Sequence, residues 1–424
     1  MWSEEQLKII QSNEKTIQVI AGAGSGKTAT MVGLLEEREK NSQFRPDKTL
    51  VITFTKKATK EFKDRCLKKN LSNQYRISTF HAFCFRILKK FHSAYKSKTL
   101  KLLPENLKWK ETKSFFHPYR FVIGGIPFPV LLKNKGKEFK KISEDLYIRY
   151  VNFLKNYKLQ HSYFELEDIL EDFKECLLCS PDLLDSLRSS IQSVIVDEFQ
   201  DTDPVQLEIL KIMNPSSLVV VGDDWQAIYG FRGADPWPFL NFESYFPDVK
   251  KFYLSTNFRS VRDIILHSQI PILKNKFQIQ KKILNHRKDI GIFQVITVSK
   301  NTNYLSDYYN DLPKDTTVLV RTNFRKHIWK TSGVSESKIS TIHSAKGLEY
   351  PSVLVDLTAG WGKAKDVDIE EERRILYVAL SRAETSLSVL VPENPKDGDV
   401  SKEFATYFQK REFLPKLALR LFSI

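Results

Sequence analysis

The chain carries near its N-terminus the stretch Ile17-Gln-Val-Ile-Ala-Gly-Ala-Gly-Ser-Gly-Lys-Thr28. Its first residues predict a short strand, its glycines predict a turn, and Lys27 and Thr28 begin a predicted helix. Glycines let backbone N–H groups approach phosphates, and a helix N-terminus adds the positive end of its dipole. We therefore predict a P-loop in which Lys27 contacts the β- and γ-phosphates and the Thr28 hydroxyl holds Mg²⁺. Ala21 departs from the general pattern, which has glycine at this position.

Length and charge limit the kinds of protein that this chain can be. Its 424 residues are enough for two or three domains with their own cores. The formal net charge of +15 favours a polyanionic partner, nucleic acid before an anionic membrane surface, although a generally lysine-rich protein would look the same. The N-terminus is polar, and no apolar run is long enough to span a bilayer. We therefore expect a cytoplasmic protein without a membrane partner, in a bacterial cytosol or, for a viral chain, in the host cytoplasm.

The cysteines give a weak signal for a metal site. Cys176 and Cys179 form a C-x-x-C pair, but zinc or an iron–sulfur cluster would need two further ligands nearby. Cys66 and Cys84 lie far away along the chain, in segments with other predicted roles. The sequence therefore predicts a buried helix face at Cys176 and Cys179, with reduced thiols, rather than a metal centre.

Strands alternate with helices in two parts of the chain, and this alternation predicts an α/β fold with parallel sheets. The first part is expected at residues 1–85 and 186–262, and the second at 263–424. Residues 86–185 are rich in lysine and aromatic residues and mostly helical in pattern, with a Gly/Pro-rich interruption at 124–129. They predict an inserted helical subdomain, whose lysines and rings either line a nucleic-acid path or form a solvated face over a core. The tail from 404 to 424 predicts a basic amphipathic helix that docks on the protein.

Two further motifs follow predicted strands at the same sheet edge. The strand after Ser193 ends in Asp197 and Glu198, where an aspartate can hold Mg²⁺ through water and a glutamate can polarise an attacking water. Gln226 follows the next strand and is expected to report the state of the γ-phosphate. The residues that it would report to are Phe231 and Arg232, because an aromatic beside an arginine suits base stacking and a phosphate contact.

Taken together, these motifs resemble those of the UvrD/Rep family of superfamily 1 DNA helicases. The resemblance covers nearly the whole chain in motif order, and the family's own P-loop variant accounts for Ala21. It is carried by six stretches: Ala21–Thr28, Thr53–Ala58, Val196–Asp201, Gln226–Ala234, Asn257–Ser260 and His343–Glu349. The resemblance implies an α/β fold of two RecA-like P-loop NTPase domains, parallel sheets flanked by helices, with an inserted helical subdomain.

The resemblance also implies roles at an ATP site. Gln6 would contact the adenine edge, Phe258 would stack on the adenine face, and Glu349 would reach the ribose. Arg259 and Arg382 would act as arginine fingers from the far side of the cleft. Lys27, Asp197, Glu198 and Gln226 would carry out the chemistry. The phosphate cradle would consist of Ala21, Gly22, Ala23, Gly24, Ser25, Gly26, Lys27 and Thr28, with Mg²⁺ at Thr28 and Asp197.

On the DNA side, five residues match family positions that meet the strand: Phe54, His81, Phe231, Arg232 and His343. Phe231 stands where the family usually has tryptophan, so its stacking surface is smaller. The implied mechanism is closure of two domains on ATP and reopening after hydrolysis, which moves single-stranded DNA past aromatic pockets. By resemblance, translocation runs 3′ to 5′, and the partners are single-stranded DNA and its junctions with duplex.

One departure from the family concerns the 2B subdomain, a long helical insertion that regulates unwinding in relatives. Here only the sixteen residues Phe324–Ile339 separate the strand predicted at Val318–Asn323 from Ser340. We therefore expect 2B to be absent or reduced to residues 324–339. Single-strand translocation should survive, whereas processive or self-regulated unwinding is expected either to be lost or to depend on a partner protein that replaces 2B.

Two other functions remain open from the sequence. The first is an ATP-switched DNA-sensing or clamp module that recruits an effector, such as a nuclease or a replication or defence protein. The second is an ATPase that acts on RNA, since no residue visibly rejects a 2′-hydroxyl. The complete set of Glu198, Gln226, Arg259 and Arg382 favours real turnover over a switch.

Overall fold

A computed structural model describes residues 2–42, 44–96, 99–117, 144–298, 305–363, 365 and 367–409. These residues form the helices α1 (Glu4–Ile10), α2 (Lys27–Lys40), α3 (Lys56–Lys68), α4 (Phe80–Phe91), α5 (Ser93–Lys96), α6 (Glu105–Phe116), α7 (Glu144–His161), α8 (Leu166–Cys179), α9 (Pro181–Ser190), α10 (Pro204–Met213), α11 (Trp237–Leu240), α12 (Arg262–Gln269), α13 (Leu305–Asn310), α14 (Asn323–Thr331), α15 (Ile342–Ala345), α16 (Ile369–Leu380) and α17 (Val400–Gln409).

The same residues form the strands β1 (Thr16–Ala21), β2 (Thr49–Thr53), β3 (Arg76–Thr79), β4 (Lys101–Leu102), β5 (Tyr163–Phe164), β6 (Ser193–Val196), β7 (Ser217–Gly222), β8 (Val249–Leu254), β9 (Thr256–Asn257), β10 (Leu284–Asn285), β11 (Ile292–Val298), β12 (Thr316–Val320), β13 (Ile339–Thr341), β14 (Tyr350–Asp356) and β15 (Ala383–Pro392). Their order in space shows two large sheets, each with parallel pairing between all neighbours. The predicted α/β fold with two parallel sheets is therefore confirmed.

The first sheet has six strands in the order β3-β2-β6-β7-β1-β8. Its central strands are mostly apolar and buried except for the half-buried Thr16 at the start of β1, as expected when helices cover both faces of a parallel sheet. Because the strands are parallel, β1, β6 and β7 all end at one edge. The P-loop, the Asp197–Glu198 pair and Gln226 follow these three strands and so lie near one another.

The described residues between α4 and β6 are mostly helical, apart from the short parallel pair of β4 and β5. Part of the cysteine prediction is wrong: both residues lie on α8, but Cys176 is only half-buried and Cys179 is exposed. The reason is that α8 buries a different stripe against the rest of the first domain, formed by Ile169, Leu170, Phe173 and Leu177. The predicted interruption at 124–129 lies outside the described residues.

The second sheet has five strands in the order β11-β15-β14-β12-β13. The strand predicted to reach Asn323 already ends at Val320, because Thr322 caps a new helix with its side-chain oxygen. The predicted tail helix begins at Val400 rather than at residue 404, and its residues 410–424 lie outside the described part. Within the described residues, no helix has both the length and the apolarity that crossing a membrane requires.

A small apolar cluster joins the two domains. It consists of Ala23, Trp225, Ile265, Ile272, Ile283 and Tyr377. The Trp225 and Tyr377 rings meet edge to face, with centroids 5.5 Å apart, and both are buried. Such a contact adds about 0.5–1.5 kcal/mol beyond the area that the rings bury. The cleft between the domains therefore has a packed floor close to the P-loop.

Candidate functional site

The P-loop connects β1 to α2 and leaves the start of α2 open. Gly24 and Gly26 have φ values of +69° and +80°, which side-chain-bearing residues rarely adopt. A Cβ atom on Gly24 would also lie 2.7 Å from the Cβ atom of Arg259. Gly26 is the N-cap of α2 and supplies no side-chain hydrogen bond to the helix. The first N–H groups of this helix are thus available to a phosphate, as a P-loop requires.

Lys27 pairs across the loop with Glu198, at 3.0 Å between Nζ and Oε2. Glu198 has a left-handed backbone, with φ of 55°, which turns its side chain back toward the P-loop after β6. Gln200 donates a second hydrogen bond to the same oxygen, at 2.6 Å. Burial alone would raise the pKa of Glu198, but the charges of Lys27 and Lys346 and the Gln200 bond outweigh it and lower this pKa. Glu198 is therefore ionised.

Asp197 is buried beside Glu198 and behaves in the opposite way. Burial and the negative charge of Glu198 raise its pKa, although Lys27 partly opposes them. Its Oδ1 accepts the Glu198 N–H at 3.0 Å. A divalent cation would compensate this carboxylate, and the half-buried Thr28 in the first turn of α2 offers a hydroxyl. Both are hard oxygen donors of the kind that Mg²⁺ takes, so the two residues fit the predicted ion.

No protein-only metal centre exists in the part of the chain that the structure describes, since no group of three His, Cys, Asp or Glu side chains converges there.

Gln226 and Arg382 meet across the cleft. The Gln226 amide donates to Asp223 Oδ2 at 2.6 Å, and its Oε1 accepts from an Arg382 NH2 group at 3.0 Å. Arg382 is almost completely buried, and burial and the nearby charge of Arg259 lower its pKa. The structure thus brings together a glutamine from the first domain and an arginine from the second.

Arg259, which follows β9, forms an ion pair with Glu349 of the second domain. Arg259 Nε lies 2.8 Å from Glu349 Oε2, and its NH1 donates to the Ser381 carbonyl at 3.4 Å. The sequence had assigned Glu349 to the ribose and Arg259 to the phosphates. In this structure the two side chains are paired with each other.

The two residues predicted to contact adenine, Gln6 and Phe258, both form hydrogen bonds with the P-loop. The Gln6 side chain accepts from the Ser3 N–H at 3.0 Å, completing the capping box of α1, and donates to the Ser25 carbonyl at 3.4 Å. The Phe258 N–H donates to the Gly24 carbonyl at 2.9 Å. The Phe258 ring lies 4.7 Å from the ring of His286, a neighbour that the sequence did not indicate.

Four rings form what we call the ring cluster: Phe54, Tyr229, Phe231 and His343. Tyr229 contacts the other three rings. It stacks on Phe54 with ring centroids 4.7 Å apart, and its centroid lies 6.0 Å from that of Phe231 and 6.1 Å from that of His343. Phe231 and His343 meet edge to face at 5.2 Å, and Phe231 is 51% exposed. The cluster therefore offers ring surface to solvent from both domains. The sequence missed Tyr229, although it lies inside the quoted Gln226–Ala234 motif.

The other two DNA candidates stand apart. His81 lies in the first turn of α4, where burial lowers its pKa against the opposing charges of Asp203 and Glu167. Among the described residues, no ring contact joins it to the ring cluster. Arg232 ends a short turn after Gly230, and its side chain lies outside the described part of the structure.

Two buried lysines at the cleft were also missed. Lys281 Nζ lies 2.6 Å from Asp223 Oδ1 and 2.7 Å from Asp224 Oδ1. It also lies 4.7 Å from the Trp225 ring centre. Lys346 pairs with Asp201 at 2.5 Å. Lys346 belongs to the quoted His343–Glu349 motif, whereas Lys281 lies in a lysine-rich segment and carries no local signal.

Comparison with known proteins matches most of the chain to one helicase family. The family model described as the UvrD/REP helicase N-terminal domain matches residues 2–123 and 128–247, and that of the UvrD-like helicase C-terminal domain matches 326–394. The protein YjcD of Bacillus subtilis (strain 168) is 30% identical over 357 residues, which is 75% of this chain and 46% of that protein.

Two relatives have names that state a function. The ATP-dependent DNA helicase Rep of Buchnera aphidicola is 27% identical over 362 residues, covering 78% of this chain and 53% of Rep. The ATP-dependent DNA helicase PcrA of Staphylococcus aureus (strain Mu50) is 29% identical over 326 residues, covering 71% of this chain and 42% of PcrA. The chain thus spans about half the length of these curated relatives. The resemblance predicted from the motifs is confirmed, and the chain belongs to the UvrD/REP helicase family.

Proposed function

We propose that the protein is a DNA-dependent ATPase that moves 3′ to 5′ along single-stranded DNA and separates strands at duplex junctions. The observation that carries this proposal is the direct contact of Gln226 with Arg382, because it links the nucleotide side of the first domain to the second domain. Rep and PcrA are named as ATP-dependent DNA helicases, and this supports the same reaction class here. The direction of movement rests on the family resemblance alone.

ATP would enter a site in which Lys27, Arg259 and Arg382 already contact side chains of the protein. Its γ-phosphate would take Lys27 from Glu198, and the uncapped start of α2 would receive the phosphates. The freed and ionised Glu198 would accept a hydrogen bond from a water and orient it toward the γ-phosphorus. Attack by this water breaks the bond to the β,γ-bridging oxygen, which leaves ADP and inorganic phosphate.

Charge that develops on the γ-phosphoryl group needs cations from both sides. Arg382 would exchange its contact with Gln226, and Arg259 its contact with Glu349, for phosphate oxygens. Thr28 and Asp197 would hold Mg²⁺, which would supply further charge neutralisation when bound. Because Arg382 belongs to the second domain and Arg259 is paired with that domain through Glu349, their engagement would pull the domains together.

Movement on DNA would follow from this closure. Rings from both domains meet in the ring cluster, so a hinge motion changes the spacing between the surfaces on which bases stack. Repeated closure and reopening would then carry a single strand past the cluster. The net charge of +15 supports a polyanionic track for this motion.

We further propose that no 2B-like subdomain occupies the segment between β12 and β13. This segment contains α14 and the short turn Glu336–Lys338, and α14 docks on the second domain. Arg325 Nε and Trp329 Nε1 each donate to Asp356 Oδ2 at 2.6 Å, with the Trp329 side chain fully buried. Such anchoring favours a structural role for the segment. Strand separation would then be weak alone and would need a partner protein.

The test is the ATPase rate with and without single-stranded DNA, followed by displacement assays on duplexes with a 3′ or a 5′ tail. Strong stimulation with displacement only from the 3′ tail is the expected result for a self-sufficient helicase. Stimulation without displacement would place unwinding with a partner and leave a translocase or switch. Absence of stimulation by DNA would refute the proposed function, and stimulation by RNA alone would reassign the substrate.

A further inference from the structure

The segment that begins with β10 lies beside the loop that carries Phe258 and Arg259. β10 pairs in parallel with β9, the strand that directly precedes these two residues. The His286 N–H extends the pairing, because it donates to the Asn257 carbonyl at 3.1 Å. This short ladder of main-chain bonds holds the residues that follow β10 next to those that follow β9.

His286 contacts Phe258, the residue predicted to stack on adenine. The two ring centroids lie 4.7 Å apart, and the ring planes meet at 54°. Within the described residues, His286 is the one ring that contacts Phe258. Phe258 is half-buried, so part of its ring remains open to a base. An aromatic neighbour at this distance restricts how the Phe258 ring can turn, and His286 therefore holds the predicted stacking surface in a defined orientation.

Arg287 contacts the main chain of Arg259. Its NH1 group donates to the Arg259 carbonyl at 2.7 Å and to the Glu384 carbonyl at 3.3 Å. Glu384 is the second residue of β15, so one guanidinium joins the main chain of Arg259 to the second sheet. Asp289 accepts from Arg287 Nε at 3.0 Å and pairs with NH2, which orients the planar fork of donors.

The main-chain N–H of Arg259 is also held by a side chain. It donates to Asn257 Oδ1 at 2.8 Å, and the Asn257 amide donates to the Ala23 carbonyl of the P-loop at 2.8 Å. Arg259 belongs to neither a helix nor a strand, so these side-chain bonds decide where its Cα atom lies. A misplacement of about 1 Å in a group that positions reacting atoms can cost about 10²-fold in rate. The Arg287 bond therefore bears directly on the placement of the proposed arginine finger.

We infer that the two residues after β10 are positioning residues for the ATP site, each with its own task. His286 orients the ring of Phe258 for the adenine base. Arg287 places the main chain of Arg259, so that the Arg259 guanidinium can reach the phosphates. The inference rests on the proposed function, since it requires ATP hydrolysis. It goes further by adding two residues that act through their neighbours rather than by contact with the nucleotide.

The first half of the test uses the full chain with Arg287→Met, which removes both carbonyl contacts. We expect the turnover number at saturating ATP and oligo-dT to fall by about 10–100-fold, with a smaller change in the KM for ATP. Lys288→Met is the matched control, because Lys288 is the adjacent cation and is exposed. If Arg287→Met does not fold, Arg287→Lys carries this half, since it keeps the charge without the guanidinium fork, and its turnover number must fall.

The second half uses His286→Ala. We expect the KM for ATP and the dissociation constant of a fluorescent ATP analogue to rise by about 2–12-fold, the equivalent of the 0.5–1.5 kcal/mol that an aromatic pair contributes. This rise should exceed the fall in turnover number. His286→Phe should restore the affinity, because it keeps a ring beside Phe258. His327→Ala is the matched control, because His327 is an exposed histidine on α14.

A merely structural role is separated by the pattern of the two kinetic parameters, measured together with the thermal unfolding midpoint. A general loss of stability would lower turnover and weaken ATP binding together in both variants. Equal effects of the two variants on the same parameter would overturn the inference, and so would unchanged kinetics in either of them. An unsubstituted chain that does not hydrolyse ATP with single-stranded DNA would instead refute the proposed function, while titration with the ATP analogue would still test His286.

Discussion

The nucleotide side and the DNA side of the cleft are built from different interactions. On the nucleotide side, three cations each have a fixed partner: Lys27 contacts Glu198, Arg259 contacts Glu349 and Arg382 contacts Gln226. On the DNA side, rings pack against rings, and Phe231 keeps half of its surface exposed. The nucleotide side is thus a network of specific polar and charged contacts, and the DNA side is a surface of packed aromatic rings.

This difference predicts how each side responds to substitution. A buried charge network acts nearly as a unit, because a group that loses its partner in a low-dielectric environment stays uncompensated. Stacking is graded, since each base gains about 1–3 kcal/mol from one aromatic surface and most rings of similar size can supply it. We therefore expect steep losses of turnover from changes on the nucleotide side and graded changes of affinity on the DNA side.

The largest effect is expected from Glu198→Gln. The amide cannot accept a proton from the attacking water, so the turnover number in saturating single-stranded DNA should fall by about 10²–10⁴-fold. ATP affinity should be kept or increased, because Lys27 loses the internal partner that competes with the γ-phosphate. Steady-state ATPase rates and titration with a fluorescent nucleotide measure the two quantities.

Glu336→Gln is the control for this prediction, since Glu336 is an exposed glutamate in the second domain. It should change neither turnover nor nucleotide affinity. A Glu198→Gln protein that hydrolyses ATP at the unsubstituted rate would remove Glu198 from the proposed chemistry.

A smaller loss is expected from Gln226→Ala. Gln226 is held between Asp223 and Arg382, and its amide is proposed to sense the γ-phosphate. Loss of one hydrogen bond to a charged group costs about 1.5–3 kcal/mol, which corresponds to roughly 10–150-fold in the turnover number. DNA affinity without nucleotide should change little, because the ring cluster remains. A variant that weakens DNA binding and leaves turnover intact would contradict the separation between the two sides.

The sequence was sufficient to place the residues whose positions depend on local spacing. The P-loop, the Asp197–Glu198 pair and Gln226 each follow a strand within a few residues, so a short motif fixes both their type and their place at one sheet edge. The alternation of strands and helices likewise predicted two parallel sheets. Their strand order was not predictable, because the connection from β3 to β6 passes through the long helical insertion.

Sequence reasoning could not predict which side chains that are distant along the chain contact each other. Lys281 pairs with Asp223 and Asp224, more than fifty residues away along the chain, and nothing distinguishes it from the other lysines nearby. Glu349 is predicted to reach a ribose, and its contact with Arg259 in this structure was not predicted, since a motif gives the position of a side chain but not its partner. The strand predicted to end at Asn323 stopped early for a local reason, the Thr322 cap.

On the DNA side, Phe231→Ala should lower affinity in a graded way. Removing an exposed ring that can stack on one base costs about 1–3 kcal/mol, which corresponds to roughly 5–150-fold in the dissociation constant for oligo-dT. The turnover number at saturating DNA should fall much less than in Glu198→Gln. Fluorescence anisotropy with labelled oligo-dT measures the affinity. An unchanged dissociation constant would exclude Phe231 from the path of the strand.

The smallest effect is expected from Phe231→Trp, and it has the opposite sign. Tryptophan offers a larger ring surface than phenylalanine at a position where half of the side chain already faces solvent. The dissociation constant for oligo-dT should therefore fall by a few-fold, as a fraction of the stacking energy of about 1–3 kcal/mol per base.

Phe324→Trp is the matched control, because Phe324 is 74% exposed at the start of α14 and has no ring contact with the cluster in the described residues. Tighter binding in Phe231→Trp alone would identify the ring cluster as the stacking surface. Tighter binding in both variants would show only a general preference of DNA for exposed indole rings, and weaker binding in Phe231→Trp would mean that the edge-to-face contact with His343 limits the size of the ring.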